Sequence, residues 1–424
     1  FKLHLGRFRS WLRQAEGQPY AKEAGHTPSD DGVYTVSAVL RRCMPRGLSL
    51  FTFGEGQGET VLLRGFRKFT GLTATDEDEE SGATDKCEDF YFAPKAAATR
   101  FAVTTKSNGE NGKFAVRELA GRQLLFAGSK NTCVVWGADQ DVTTLHPAGA
   151  DASIPGPLIA AQMQAIWRGW AEDTRKTFVE RSGSAGWTLM LEHNCSQHEH
   201  VFPIARDFVE FVAVLDREGL PLPQREAFAF FDEFRLPRVR CEECVPIAEL
   251  PSRLVAERAA VDREGAVLYL ETEEGAPVAL VKVKSDFYVR ARRTRQTFWG
   301  AVIDPLLKGQ ALEGDGAEVG DDTGLPIAKG KGKGRGKRAA GCGWEAVERR
   351  LCNGMKELKH VEGCAEQWKD WADVAVGFVH WWRRKYEALS SEAEKRTLVE
   401  DAKNRFGTTY RDYCRSAGLP GGEN

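Results

Sequence analysis

No charge of one sign dominates this chain. Its 59 Lys and Arg meet 61 Asp and Glu, a formal net charge of -2 over 424 residues, so total charge points to no partner of opposite sign. Only the distribution of charge, which comes in blocks, can do so. A run of roughly eighteen apolar residues is also missing, and no membrane span is expected. No G-x-x-x-x-G-K-(S/T) loop occurs, so a kinase signature of that type is absent. The ten cysteines are scattered between Cys43 and Cys414. Without a signal peptide they read as reduced thiols, expected of an intracellular protein, cytoplasmic or nuclear. An organelle is the expectation if a targeting segment has been removed, because the chain opens on Phe1, as a cut or processed chain would.

What is present is the composition of a globular protein, 42% hydrophobic and 28% charged, long enough for two or three domains. The first part mixes an amphipathic start (Phe1, Leu3, Leu5, Phe8, Trp11, Leu12) with Val33–Leu40. Short strand patterns follow at Leu48–Phe53 and Thr60–Leu63. Asp76–Glu80 is a self-repelling acidic block, expected to be a disordered insertion. From Phe90 to Trp136 the pattern is β: Phe90–Phe92, Phe101–Thr105, Phe114–Arg117, Gln123–Ala127 and Cys133–Trp136. Residues 157–180 have helical spacing. Trp187–Glu192 reads as a strand ending on a carboxylate, Val209–Leu215 as another strand, and Glu264–Tyr269 with Val278–Lys284 as a hairpin.

Beyond about residue 310 an acidic Gly-rich tract (Glu313–Asp322) precedes Lys329–Arg338, a basic Gly-rich run. Such a segment buries no core and is expected to be a flexible linker. Residues 343–418 are helical by periodicity. Cys364, Trp368, Trp371, Ala375, Phe378 and Trp382 form a heptad-like stripe. Trp381–Tyr386 sets aromatics beside cations, either a core stripe with a basic flank or a surface that stacks nucleic acid.

The chemically suggestive stretch is Lys106-Ser-Asn-Gly-Glu110, between two β-branched runs. Asn-Gly is the commonest two-residue hairpin turn, and a lysine beside one is ordinarily solvated. The alternative is a lysine that presents its amine into a pocket. Other segments stand before and after it, and they carry a family resemblance: Arg64-Gly-Phe-Arg-Lys-Phe69, Gly128-Ser-Lys-Asn131, Glu192, Glu264-Gly-Ala-Val and Lys282-Val-Lys284-Ser-Asp-Phe-Tyr288. Lysines two apart on a strand share a face.

Together these elements resemble the ATP-dependent RNA ligases of the phage tRNA-repair type. Those enzymes belong to the covalent nucleotidyltransferase superfamily, which also holds DNA ligases and capping enzymes. The resemblance covers about residues 48 to 292 and none of the C-terminal helices. It implies an α+β fold: an ATP-grasp-like nucleotidyltransferase domain of antiparallel sheets with flanking helices at residues 1–308. A flexible linker at 309–342 and a separate α-helical C-terminal domain at 343–424 complete the expected organisation.

The resemblance also implies roles. Lys106 is the catalytic residue, a nucleophile that becomes adenylylated. Arg64 and Lys68 belong to the phosphate-gripping element, and Asn108, Gly109, Lys130 and Tyr288 to the nucleotide site. Glu192 contacts the ribose or a metal, and Glu264 is a carboxylate for the metal. Lys282 and Lys284 bracket the triphosphate and depress the pKa of Lys106. The cofactors implied are ATP and Mg²⁺, and the partner is RNA with 5′-phosphate and 3′-hydroxyl ends, acted on by a monomer.

The sequence departs from the family at Gly65, Asn108 and Glu110, where proline, aspartate and serine are commoner. Two alternatives therefore stay open: a non-catalytic RNA-binding protein on a ligase scaffold, and a capping-type guanylyltransferase or DNA ligase. His193, Cys195, His198, His200, Cys241 and Cys244 are zinc-ligand types. The resemblance makes His198-Glu-His200-Val a strand-entry element instead, and a plain loop pair is expected of the two later cysteines.

Overall fold

The computed structural model describes residues 45, 47–53, 59–72, 87–145, 155–261, 263–310, 312, 343–360 and 366–422. The N-terminal segment to Leu40, Asp76–Glu80, the Gly-rich tracts between residues 313 and 338, and Cys364 lie outside them. The chain divides into two compact units. Arg293–Lys403 form one, and the described residues up to Arg292, with those from Asn404 on, form the other.

The larger unit is α+β, and its strands pair antiparallel. Strands β1 (Ser49–Phe53) and β2 (Glu59–Leu63) form a ribbon. The other strands are β3 (Arg100–Thr105), β4 (Glu110–Leu119), β5 (Arg122–Ser129) and β6 (Cys133–Gly137), then β7 (Thr188–Asn194) and β8 (Phe208–Leu215). Last come β9 (Cys241–Pro246), β10 (Gly265–Glu271) and β11 (Pro277–Lys284). They build a four-stranded sheet, β11-β10-β3-β9, and a five-stranded sheet, β6-β5-β4-β7-β8.

Alternation along the strands gives each sheet two buried faces. The facing surfaces meet at Ala102, Met190, Ala213, Leu215, Tyr269 and Leu280. The Tyr269 hydroxyl donates across this layer to the Val212 carbonyl at 3.1 Å. On the far side of the five-stranded sheet pack helices α1 (Pro155–Gly169), α2 (Glu172–Phe178) and α3 (Gln224–Glu233), with Trp136, Trp167, Phe178 and Phe230 in that core. Helix α4 (Leu250–Arg258) covers the outer face of the four-stranded sheet, where Leu250 joins Phe101, Leu268 and Val281. Helix α5 (Asp286–Phe298) follows β11 directly.

Several sequence expectations are corrected. Asn108-Gly109 is not a hairpin turn, because β3 and β4 belong to different sheets. A type I′ turn needs positive φ at both central residues, and neither residue has it. Residues 106–109 are instead a crossing point at which the chain passes from the four-stranded sheet to the five-stranded one. Phe90–Phe92 is not a strand: Cys87–Phe90 form a 3₁₀ turn. The helical stretch at 157–180 breaks after Gly169, and the Trp170 carbonyl there accepts from Arg175 Nε at 3.0 Å. β7 runs two residues beyond Glu192, since His193 and Asn194 are still paired with Val209 and Phe208.

The second unit is helical. It includes α6 (Asp304–Leu307), α7 (Trp344–Lys356), α8 (Trp368–Glu387) and most of α9 (Glu392–Asn404). Its core joins Val347, Leu351 and Met355 to Trp371, Ala375, Phe378 and Trp382. Phe298 sits edge-on to Phe378 and Trp382 at 5.0 and 5.1 Å. In the Trp381–Tyr386 segment, Trp382 is therefore core, whereas the ring of Trp381 lies 3.9 Å from the Lys385 ammonium. The final helix, α10 (Phe406–Ser416), groups with the sheets although its sequence follows the helical unit.

Leu280 is almost fully buried between the two sheets. Leu280→Ala is expected to cost about 2–5 kcal/mol in urea unfolding of the full chain, and a loss under about 1 kcal/mol would contradict the two-sheet packing.

Candidate active site

Three strand ends meet where β3 runs out. The Lys106 N–H donates to the Gly265 carbonyl at 2.9 Å, and the Ser285 N–H donates to the Glu264 carbonyl at 2.8 Å. Gly265, at φ 140°, lies opposite Lys284, and a Cβ there would collide with the Val283 carbonyl. The backbone thus places Lys106, Glu264 and Lys284 side by side.

Their side chains converge. The Lys106 ammonium is 2.5 Å from Glu264 Oε1, and Asn108 Nδ2 donates to Glu264 Oε2 at 2.9 Å. The Lys284 charge acts on the same carboxylate. Glu192 approaches from the other sheet. It faces Asn111 across the β4–β7 pair, and Asn111 Nδ2 lies 3.5 Å from its Oε1. Gly109 is flush against the His193 carbonyl, where a side chain would not fit.

Electrostatics follow from this crowding. Burial opposes the charge on Lys106, but Glu264, then Glu192, and the hydrogen bond to Glu264 outweigh it, so the amine stands above the ordinary lysine value. This corrects the expectation that Lys282 and Lys284 depress it; the one cation among the main influences on Lys106 is Arg292, and the two carboxylates are stronger. Burial also works against a charged Glu264, yet Lys106, Lys284 and the Asn108 amide hold its carboxyl below the usual range. Burial, together with the Glu264 charge, pushes Glu192 up to about 8.

The remaining sequence-chosen residues are placed as follows. Lys282 is two residues from Lys284, roughly 7 Å along β11 and on the same face, and its N–H donates to the Thr70 carbonyl. That bond runs the segment carrying Lys68 alongside β11, with the Lys68 ammonium 5.3 Å from the Phe90 ring. Arg64 is anchored elsewhere. Its N–H donates to Thr188 Oγ1, and its Nε donates to the Arg217 carbonyl. Thr188 lies four residues, about 13 Å, from Glu192 along β7. Lys130 is exposed in the β5–β6 turn, beside Gly47. Tyr288 is buried, its ring stacked on Phe202 at 6.3 Å.

Several residues near Lys106 were not among those chosen from sequence. Ser107 Oγ donates to Glu210 Oε2 at 2.7 Å and accepts from Asn194 Nδ2 at 3.0 Å. Glu210 lies opposite Glu192 in the β7–β8 register. A single acid within the apolar run Phe208–Leu215 was the signal available for it. Glu110 Oε1 is 3.3 Å from His200 Nε2, and that hydrogen bond holds its carboxyl below the usual range. Another lysine, the buried Lys113, donates to Ser49 Oγ at 2.7 Å and to the Gly47 carbonyl; burial pulls its amine down.

Among the described residues no group of three or more His, Cys, Asp or Glu is arranged to hold a metal. Glu192 and Glu264 do offer carboxylate oxygens, the donors that suit a hard cation bound by one or two carboxylates plus substrate phosphates. Both carboxylates act on the one Lys106 amine, so by its donor chemistry this pair fits a divalent ion.

No protein-family model matches the chain, and no curated protein does. Solved structures similar to it include two forms of an archaeal ATP-dependent RNA ligase. One is 15% identical, with a TM-score of 0.41, over 84% of this chain and 76% of that one. The other is also 15% identical, with a TM-score of 0.39, over 96% and 79%. A mutant of a Naegleria gruberi RNA ligase with ATP and Mn is 12% identical, with a TM-score of 0.31, over 46% and 52%.

Glu192 holds a proton in the folded chain that the unfolded chain gives up near the ordinary carboxylate value. Its contribution to stability therefore falls as pH rises from about 4.5 to about 8. Glu192→Gln is expected to gain in melting temperature relative to the parent as pH goes from acid to mildly alkaline, with chelator present. A difference that does not change with pH would contradict this placement of Glu192.

Proposed function

We propose that the chain is an ATP-dependent RNA ligase, of the phage tRNA-repair type in its motifs, that seals 5′-phosphate and 3′-hydroxyl RNA ends through Lys106. The observation that supports this most is the Lys106 amine against Glu264, with Glu192 and Lys284 in electrostatic reach, at the junction of two sheets.

In this reading ATP binds with its α-phosphate over Lys106. An amine attacks only when neutral, so Lys106 releases to solvent the proton that its ion pair with Glu264 stabilises. The N–P bond then forms as the bond to pyrophosphate breaks, leaving AMP on the lysine. AMP passes to an RNA 5′-phosphate, and a 3′-hydroxyl finally displaces AMP to close the strand. Glu192 and Glu264 would hold Mg²⁺, which when bound supplies positive charge to the phosphates. Lys284, with Lys282 beside it, faces the developing phosphate charge. Asn108 supplies no charge of its own; it orients Glu264, which does. Lys68, Lys130 and Arg64 would meet phosphates farther along the nucleotide or the RNA.

The test is sealing of a 5′-phosphate, 3′-hydroxyl RNA with ATP and Mg²⁺. Lys106→Ala is expected to abolish sealing, and Lys284→Ala to slow it by roughly 100-fold, as loss of one charge-stabilising group does. Undiminished sealing by Lys106→Ala would contradict the mechanism. A covalent adduct formed from GTP alone would favour a capping-type guanylyltransferase.

A further inference from the structure

The loop between β7 and β8 carries a buried carboxylate the mechanism does not use. Glu199 is 1% exposed. Its Oε2 accepts from the Thr408 N–H at 2.7 Å; its Oε1 accepts from Thr408 Oγ1 at 2.9 Å and from the Ile204 N–H at 3.1 Å. The Glu199 N–H donates to the Asn404 carbonyl at 2.9 Å. Thr408 is the third residue of α10, so the carboxylate occupies an N–H that a helix start leaves unsatisfied. Gly407 seals the contact. A Cβ there would lie 2.5–2.8 Å from the backbone of Phe202 and Pro203, atoms that cannot swing aside.

The same loop faces the candidate site with its other edge. The Val201 and Phe202 N–H groups both donate to Asn108 Oδ1, at 3.1 and 3.2 Å. With its oxygen so engaged, the amide must turn its NH₂ to Glu264, and that is the bond seen. A hydrogen-bonded path therefore runs from α10 through Glu199, the 199–204 loop and Asn108 to the carboxylate that meets Lys106.

We infer that α10, acting through Glu199 and Gly407, is a positioning element for the nucleophile: it holds the two loop N–H groups that fix which way the Asn108 amide faces, and so completes the site from the far end of the chain. The inference rests on Lys106 being the nucleophile. A buried carboxylate is costly unless fully paired, and an apolar side chain would dock the helix as well. A carboxylate with three donors from two segments instead fixes the loop in one register.

The experiment uses the full chain and three variants, Glu199→Ala, Gly407→Ala and the conservative Thr408→Ser. Two readouts are taken: hydrogen exchange at the Val201 and Phe202 amides, and single-turnover transfer of AMP from ATP to Lys106. Glu199→Ala and Gly407→Ala are expected to lose protection at both amides. Their transfer rate constant should fall about tenfold while KM for ATP stays within about twofold, the split of a misoriented rather than an unbound substrate. Thr408→Ser should keep both properties. If either alanine variant is folded by circular dichroism yet leaves both amides protected and the rate constant unchanged, the inference is overturned. Should Glu199→Ala not fold, Gly407→Ala, which leaves the carboxylate in place, decides alone. If the parent chain takes up no AMP, the ligase reading fails by itself, while the exchange data still settle whether α10 holds the loop.

Discussion

The ion pair between Lys106 and Glu264 is the constraint on which the candidate site depends. Glu264 and Glu192 favour the protonated amine, and burial opposes it; the carboxylates win. The chain then has to keep a charged lysine and two acids together where two sheets join. It does so with backbone bonds at the ends of β3, β10 and β11, with a glycine that lets β10 begin against β11, and with Asn108 on the free carboxylate oxygen. In the proposed reaction the amine would have to leave this arrangement as a neutral group before it attacks. The arrangement itself stands on the protonated side of that chemistry.

Much of the fold was legible because its signals are local. The β10–β11 hairpin, β5, β6 and β8 follow from alternating apolar runs and turn-sized gaps, and Lys282 and Lys284 share a face through period two alone. The misreadings come from non-local pairing. Asn108-Gly109 has the chemistry of a hairpin turn, and nothing nearby says that β3 will pair with β9 and β10 while β4 pairs with β5 and β7. The glycine is required for close approach to the His193 carbonyl, not for a turn.

Within the site, the company of Lys106, Asn108, Glu192, Glu264 and Lys284 could be anticipated from the order of the motifs. The direction of the Lys106 pKa could not, because it depends on how near two acids from separate strands come to one amine. Arg64 and Lys130, grouped with them by motif order, are held at other places, by Thr188 and Arg217 and in the β5–β6 turn. Glu199 was the least visible. One acid between two histidines carries no pattern, and its partner Thr408 lies near the other end of the chain.

Two lysines stand on the same stretch of chain, Lys106 partly exposed and Lys113 buried, and they separate the central claim from its nearest competitor. Lys113 has the lower pKa but binds a carbonyl and a hydroxyl; Lys106 has the carboxylates, Lys284 and Arg292 around it. The most direct measurement is peptide mass spectrometry after the full chain is incubated with ATP and Mg²⁺. The account predicts an AMP-sized mass increase on Lys106 and none on Lys113; AMP on Lys113, or on neither lysine, would contradict it.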